Sequence, residues 1–254
     1  MLSFSMLSFS MLSCGIEDYP YIYSIPTGYI QNELNSRVRV YISDDNDGNI
    51  FFSNYTIFYR IYVSDVEIIS PSSENDYRAI NTALNNDHLR VRPYIGNDSM
   101  GSSAIVSLFG NMNYYTITVQ SADIDYVLSS ENPLNIFGKY LIIDFSRESE
   151  NETIPFMTIG NSPRYNLLRS DGGGVYAVKP TNIRYFQNSA ELFDVANIED
   201  PSVNGDITDK PSAFERSHTY VNMYIVASGL DPQTYIQLYS SPAHIGVLRL
   251  PEPY

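Results

Sequence analysis

Three histidines, His88, His218 and His244, are the side chains whose charge changes most readily near neutral pH, so acid–base or metal chemistry would start from them. They fall in separate segments, and none has a neighbour at a spacing that a zinc site uses. Each therefore reads as a surface or strand-end residue. The patterns Gly-x-Ser-x-Gly, His-Glu-x-x-His and the phosphate-cradling glycine loop do not occur. Asp171-Gly172-Gly173-Gly174 lacks the Lys-Ser/Thr of a phosphate loop and precedes a strand-like run, which makes it a hairpin turn. Asp44-Asp45-Asn46-Asp47-Gly48 offers oxygen ligands at alternate positions, as calcium requires. Its glycine comes one position early for an EF-hand and no glutamate closes a twelve-residue loop, so a solvated turn is expected. Carboxylate pairs for glycoside chemistry meet only in a fold, and no pair stands out here. The residues assign no catalytic group, no metal site and no cofactor, and the chain is not expected to be an enzyme.

Tyrosine is the other candidate for recognition. The chain has 22 Tyr and no Trp. Tyr supplies a large amphipathic contact surface at low entropic cost in binding loops, and it is also a good strand residue. The strand reading is preferred for Tyr55, Tyr59, Tyr62 and Tyr224, whereas Tyr19, Tyr21 and Tyr23 lie where rings could rest at lipid headgroups. Composition narrows the partners further. With 29 Asp and Glu against 15 Lys and Arg, the net charge of −14 repels phosphate backbones, so nucleic acid is not expected as a partner. A hydrophobic fraction of 43% over 254 residues supports a folded core. One cysteine, Cys14, excludes an intramolecular disulfide.

The elements that would position these residues read mainly as strands. Tyr21 to Ile30 is expected as a first strand, broken by Pro26 and Gly28, and Arg37 to Ile42 as a second with Val38, Val40 and Ile42 inward and Arg37, Arg39 and Tyr41 in water. A third runs from Phe51 to Val63, with Ile57, Tyr59, Ile61 and Val63 on one face. Ser73 to His88 is the best helix, with Ser73 and Asp76 as a capping pair and Tyr77, Ile80 and Leu84 on one face. Further strands are expected at Ser102 to Phe109, Tyr114 to Gln120, Tyr140 to Phe145, Ile154 to Ile159, Gly174 to Val178 and Ile183 to Phe186. Ser189 to Ile198 suits a second short helix, and Pro201 to Pro211 a surface loop. Tyr220 to Ser228 alternates Val221, Met223, Ile225 and Ala227 with Tyr220, Asn222, Tyr224 and Val226. After the Gly229-Leu230-Asp231-Pro232 turn, Tyr235 to Tyr239 continues past Ser240-Ser241-Pro242 into Ile245, Val247 and Arg249. The third strand should lie beside this C-terminal pair, bringing Tyr59 and Ile61 near Met223 and Ile225.

Two resemblances add to this reading. Met11-Leu12-Ser13-Cys14 follows the repeats Met-Leu-Ser-Phe-Ser and resembles a bacterial lipobox of the relaxed spirochaetal kind. It implies a signal peptide at 1–13, acylation of Cys14 after cleavage, and a tether at 14–19 that holds the body within roughly 20 Å of the bilayer. Tyr59-Arg60-Ile61-Tyr62, Val221-x-Met223-x-Ile225-x-Ala227 and Tyr239-Ser240-Ser241-Pro242 with Ile245 and Val247 resemble the third, sixth and seventh strands of a fibronectin type III domain. The family's corner tyrosine would fall at Val221, with Tyr220 or Tyr235 as substitutes. The implied fold is all-β, a fibronectin type III or immunoglobulin-like sandwich over 20–254. A long insertion at about 66–215 would carry the extra strands and one or two short helices. In style the chain is similar to treponemal-type lipoproteins of unknown function. That implies a protein lipid-anchored to the outer membrane, acting in binding or envelope structure through an unidentified protein or carbohydrate ligand. The alternatives are an accessory subunit of an envelope complex or, further off, a carbohydrate-active or other hydrolytic enzyme.

Overall fold

A computed structural model gives the structure of the chain at residues 21–25, 30–34, 37–42, 44–64, 66–97, 102–112, 114–119, 140–144, 156–159, 165–166 and 218–250. Cys14, the 14–19 tether, Tyr19, the strands expected at 174–178 and 183–186, the helix at 189–198 and the loop at 201–211 lie outside the described residues.

Most of the regular structure described is antiparallel strand. One sheet takes β1 (Ile30–Leu34), β2 (Arg37–Tyr41), β5 (Tyr140–Asp144), β6 (Phe156–Ile159) and β7 (Tyr165–Asn166), side by side in that order. The other has the order β10 (Ala243–Arg249), β8 (His218–Leu230), β3 (Phe52–Ser64), β4 (Tyr115–Val119), with β9 (Gln237–Tyr239) also on β8. The sheets share a core, the arrangement of a β-sandwich. Val38, Val40 and Ile42 meet Leu141 and Ile143 from one side and Tyr55, Ile57, Tyr59, Val119, Val221, Met223 and Ile225 from the other. Alternation explains this face: every second residue of β2, β3 and β8 is apolar, and the pleat sends that set one way. Arg39 and Tyr41 are half-buried on the outward face, where full exposure was expected.

The long pairing of β3 with β8 is the centre of the molecule. Tyr59 lies opposite Met223, Ile57 opposite Ile225 and Ile61 opposite Val221. The second face of this pair is buried as well, which amphipathic alternation alone does not announce. A helical layer covers it: α1 (Glu74–Ile80), α2 (Thr82–Val91) and α3 (Ser102–Gly110) pack on Phe58, Tyr62, Tyr220, Tyr224 and Val226.

Several expected elements differ in detail. The first described strand is Ile30–Leu34; residues 21–25, expected as strand, are not, although Ile22 and Ile25 enter the core. The single helix expected over 73–88 is two helices, because Asn81 is extended at φ −160°. Asn81 ends α1 and caps α2, its Oδ1 accepting from the Ala83 and Leu84 N–H groups at 2.8 and 3.3 Å. The capping box of Ser73 and Asp76 forms as expected. The strand expected over 102–109 is helix α3. Its Ile105 and Phe109, followed by Met112, are buried four and three residues apart, a helical spacing that a short apolar run does not separate from strand alternation. Along β10 a register shift between His244 and Gly246 reverses the alternation. Ile245 and Leu248 face the sandwich core, and Val247 faces the helices. Gly246 supports this bulge at φ +134°, where a β-carbon is strained.

Candidate functional site

The polar residues with the most chemistry lie between the second sheet and the helices. Alternation along β3 points Phe58, Arg60 and Tyr62 at the helical layer, and β8 does the same with Tyr220, Asn222 and Tyr224. Register then sets Arg60 opposite Asn222, Phe58 opposite Tyr224, and His244 of β10 opposite Tyr224 on the other edge. From above, α2 buries Leu84, Asp87, His88 and Val91, spaced three, four and seven residues from the first, so the carboxylate and the imidazole arrive on one stripe.

Asp87 is the hub. Its Oδ2 accepts from Arg60 Nη1 and from the Tyr62 hydroxyl, both at 2.6 Å. The two side chains of the ion pair are at most 8% exposed, so this is a buried pair with added hydrogen bonds, the only setting in which such a pair holds its charges cheaply. Burial opposes the Arg60 charge, yet Tyr62, Asp87 and Tyr114 together hold the guanidinium above its ordinary pKa. A relay of hydrogen bonds leads away from the hub. Tyr62 and Tyr114 hydroxyls are 3.2 Å apart, Asn222 Nδ2 donates to Tyr114 at 2.8 Å, and His244 Nε2 lies 2.8 Å from Asn222 Oδ1. Because an amide oxygen only accepts, His244 donates through Nε2; because Tyr62 gives its proton to Asp87, Tyr114 donates to Tyr62. Every proton in the chain points toward Asp87.

A second thread joins the first at the rings. His88 Nδ1 is 3.1 Å from the Tyr224 hydroxyl, and the His88 and His244 rings are centred 4.6 Å apart. Tyr224 lies 4.7 Å from the His244 ring and Tyr77 5.9 Å. His244 is half-buried as a residue, but its imidazole is enclosed by these rings. Burial, with His88 adding to it, pushes its pKa down to about 3. Burial also lowers His88, against the pull of Glu74. Two such imidazoles stay neutral at pH 7. Burial raises Tyr62, Tyr114 and Tyr224 well above the usual phenol range, with Asp87 adding for Tyr62 and Tyr62 adding for Tyr114. Tyr77 rises to about 12. The cluster thus holds one buried ion pair and otherwise neutral donors and acceptors, in two hydrogen-bonded threads that touch through their rings.

His88 is therefore an interior residue, not the surface or strand-end residue expected, whereas His244 is near the start of β10 as a strand-end residue with its imidazole turned inward against His88. His218 begins β8, with Nδ1 3.3 Å from Arg249. Among the described residues, no three His, Cys, Asp or Glu side chains gather where they could hold a metal ion. Residues 44–46 form a 3-10 turn that Asn46 pins: its amide group donates to the Tyr23 carbonyl and accepts from the Tyr23 N–H, both at 2.9 Å. Asp45 and Asp47 are exposed beside it. Tyr55, Tyr59, Tyr62 and Tyr224 are fully buried strand residues. Tyr21 and Tyr23 are exposed and pack edge to face at 5.0 Å. Tyr220 puts its hydroxyl between the chain after β3, donating to the Val66 carbonyl at 2.7 Å and accepting from the Ile68 N–H at 2.8 Å. Alternation of Arg60 with Tyr62, and of Asn222 with Tyr224, was the available signal for the cluster. What it lacked was the pairing register that joins residues 60, 87, 114 and 222. Comparison of the chain with protein families, with curated proteins and with solved structures found no match.

Proposed function

We propose that the protein is a lipid-anchored envelope protein whose folded body works by binding or by structural support, with Cys14 as the acylated residue. The observation that carries this reading is the sole cysteine standing where the apolar repeat of residues 1–13 stops. Among the described residues, no helix is long and apolar enough to cross a membrane, so attachment in this reading falls to the acyl chains. One acyl chain holds a protein only reversibly, and two or three make attachment lasting. The absence of catalysis is part of the proposal: Asp87, Arg60, Tyr62, Tyr114, Asn222 and His244 bond chiefly to one another, as a clamp between helices and sheet would. A fibronectin type III or immunoglobulin-like sandwich is the finer fold proposal, with residues at about 66–215 as the insertion. It is supported by the adjacency of β3, β8 and β10, which follows the order of strands C, F and G in such sandwiches.

Mass spectrometry of the native protein tests the anchor. The expected N-terminus is an acylated Cys14, and Cys14→Ala should release the protein from membranes. A mature chain that keeps residues 1–13 unmodified overturns it.

A further inference from the structure

Three segments meet at one end of the two sheets: residues 21–25, the loop between β2 and β3, and the turn between β8 and β9. Gly229 makes the meeting possible. A β-carbon there would lie 1.7 Å from the Phe51 carbonyl oxygen and 2.8 Å from Ile22 Cδ1. The same carbonyl accepts from the Leu230 N–H at 3.0 Å. Asn49 Nδ2 donates to the Tyr21 carbonyl at 2.8 Å, beside the Asn46 bonds to Tyr23. Asp231 fixes the turn by accepting from the Gln233 N–H at 2.9 Å and from the Thr234 hydroxyl. This end is thus held together by backbone and side-chain bonds from all three segments.

Apolar side chains are nevertheless left in solvent there. Of the ten exposed large hydrophobic residues among those described, six sit at this end: Tyr21, Tyr23, Ile50, Leu230, Tyr235 and Ile236. Ile50 is 79% exposed and Tyr235 78%. Tyr235 also has φ +57°, the only non-glycine residue described with a positive value, so a bulky ring occupies a position that a merely solvated turn gives to Gly or Asn.

We propose that this end seats on the zwitterionic face of a lipid bilayer, an inference that rests on the lipid-anchor reading of Cys14. The path of the chain argues for that occupant. Cys14 precedes Tyr21 by seven residues, a reach of at most about 25 Å, so acyl chains on Cys14 keep this end beside the membrane. Tyr rings with aliphatic neighbours suit the headgroup level, where one end of each ring is apolar and the other wet. Charge selects the headgroup. Residues 21–25, 44–51 and 228–239 contain no Lys or Arg, and Asp45 and Asp47 are exposed on the loop. Anionic lipid repels such a surface. Choline or ethanolamine ammonium groups pair with the carboxylates and lie over the Tyr faces.

The chain has no Trp, so Tyr235→Trp places a single fluorophore at the proposed contact. It is made in the full chain with Cys14→Ala and mixed with phosphatidylcholine vesicles carrying spin-labelled lipid. The expected result is a blue shift with quenching for Tyr235→Trp and neither for Leu89→Trp, which sits on the helical layer. Binding should weaken when phosphatidylserine replaces phosphatidylcholine. Ile50→Ser with Ile236→Ser should lower the bound fraction at least about tenfold, since each seats an aliphatic side chain. If Tyr235→Trp stays unquenched even in the acylated, membrane-bound protein, the seating is wrong and the anchor stands. If Cys14 carries no lipid but Tyr235→Trp is still quenched, the anchor is wrong and the seating stands on its own. Equal binding to phosphatidylserine overturns the headgroup assignment. A lipid-free dimer that Ile50→Ser dissolves in sedimentation overturns the seating in favour of a second copy of the chain.

Discussion

Asp87 satisfies two buried donors at once, the Arg60 guanidinium and the Tyr62 hydroxyl, and its removal leaves both without their acceptor. Breaking a buried ion pair from one side costs about 3–5 kcal/mol, a large share of a domain's stability of roughly 5–15 kcal/mol. Asp87→Ala should therefore lower the unfolding free energy by that amount, read as a lower urea midpoint. Asp87→Ala combined with Arg60→Met should cost less than Asp87→Ala alone, because no unpaired charge remains. Equal midpoints for single and double variants would show that the pair does not carry the energy. The imidazoles give a second test. The folded pKa of His244 lies near 3, below the ordinary value of about 6.5, so between these the unfolded chain binds a proton that the folded chain refuses. Its stabilising contribution is full above about pH 6.5 and declines as pH falls toward 3, by at most about 1.4 kcal/mol per unit. His88, shifted the same way, adds to the slope. His244→Gln keeps a donor for Asn222 and should flatten the loss of urea stability between pH 6.5 and 4; an unchanged slope would place the titration elsewhere.

At the scale of elements, what was legible and what was not follow from the reach of each signal. Period-two patterns in β2, β3 and β8 are carried by consecutive residues, and the strands lie where those patterns run. The Ser73 capping box is equally local. Asn81 is different: its extended backbone ends one helix, and its side chain starts the next, yet apolar spacing passes through it unbroken from Tyr77 to Leu84. Asn81→Ala should cost about 0.5–2 kcal/mol by loss of the α2 cap, read as a lower melting temperature; no change would mean that packing of Leu84 and Val91 alone sets the helix start. The His88 and His244 pair was illegible for a further reason. It needs a bulge at Gly246 and a register on β8, both fixed by partners more than a hundred residues away in sequence from His88. Gly246→Ala tests the bulge: the strain at φ +134° should destabilise the chain, and the ring contact of His88 with His244 should loosen.

For the whole molecule, the decisive fact is that β3 has both faces covered and both edges paired. Ile57 contributes to the sandwich core and Phe58 to the helical layer, so the two hydrophobic clusters share one backbone. Ile57→Ala or Ile225→Ala should each cost about 2–5 kcal/mol in urea unfolding. A chain ended at Gln120 keeps β3, β4 and the helices but lacks β8, and it should show no cooperative melt; a cooperative transition would mean that β3 folds without its C-terminal partner. Thr56 and Ser228, which share a hydrogen bond of 2.9 Å across β3 and β8, are 172 residues apart in the chain. At a synthesis rate of about 5–20 residues per second, roughly 10 to 35 seconds separate the emergence of the two strands from a ribosome. Through that interval one edge of a thirteen-residue strand, buried on both faces in the finished fold, has no mate of its own. A chain built this way cannot close its central sheet before His218–Leu230 has been made, so assembly of the β3–β8 pair waits on the far end of a 172-residue separation.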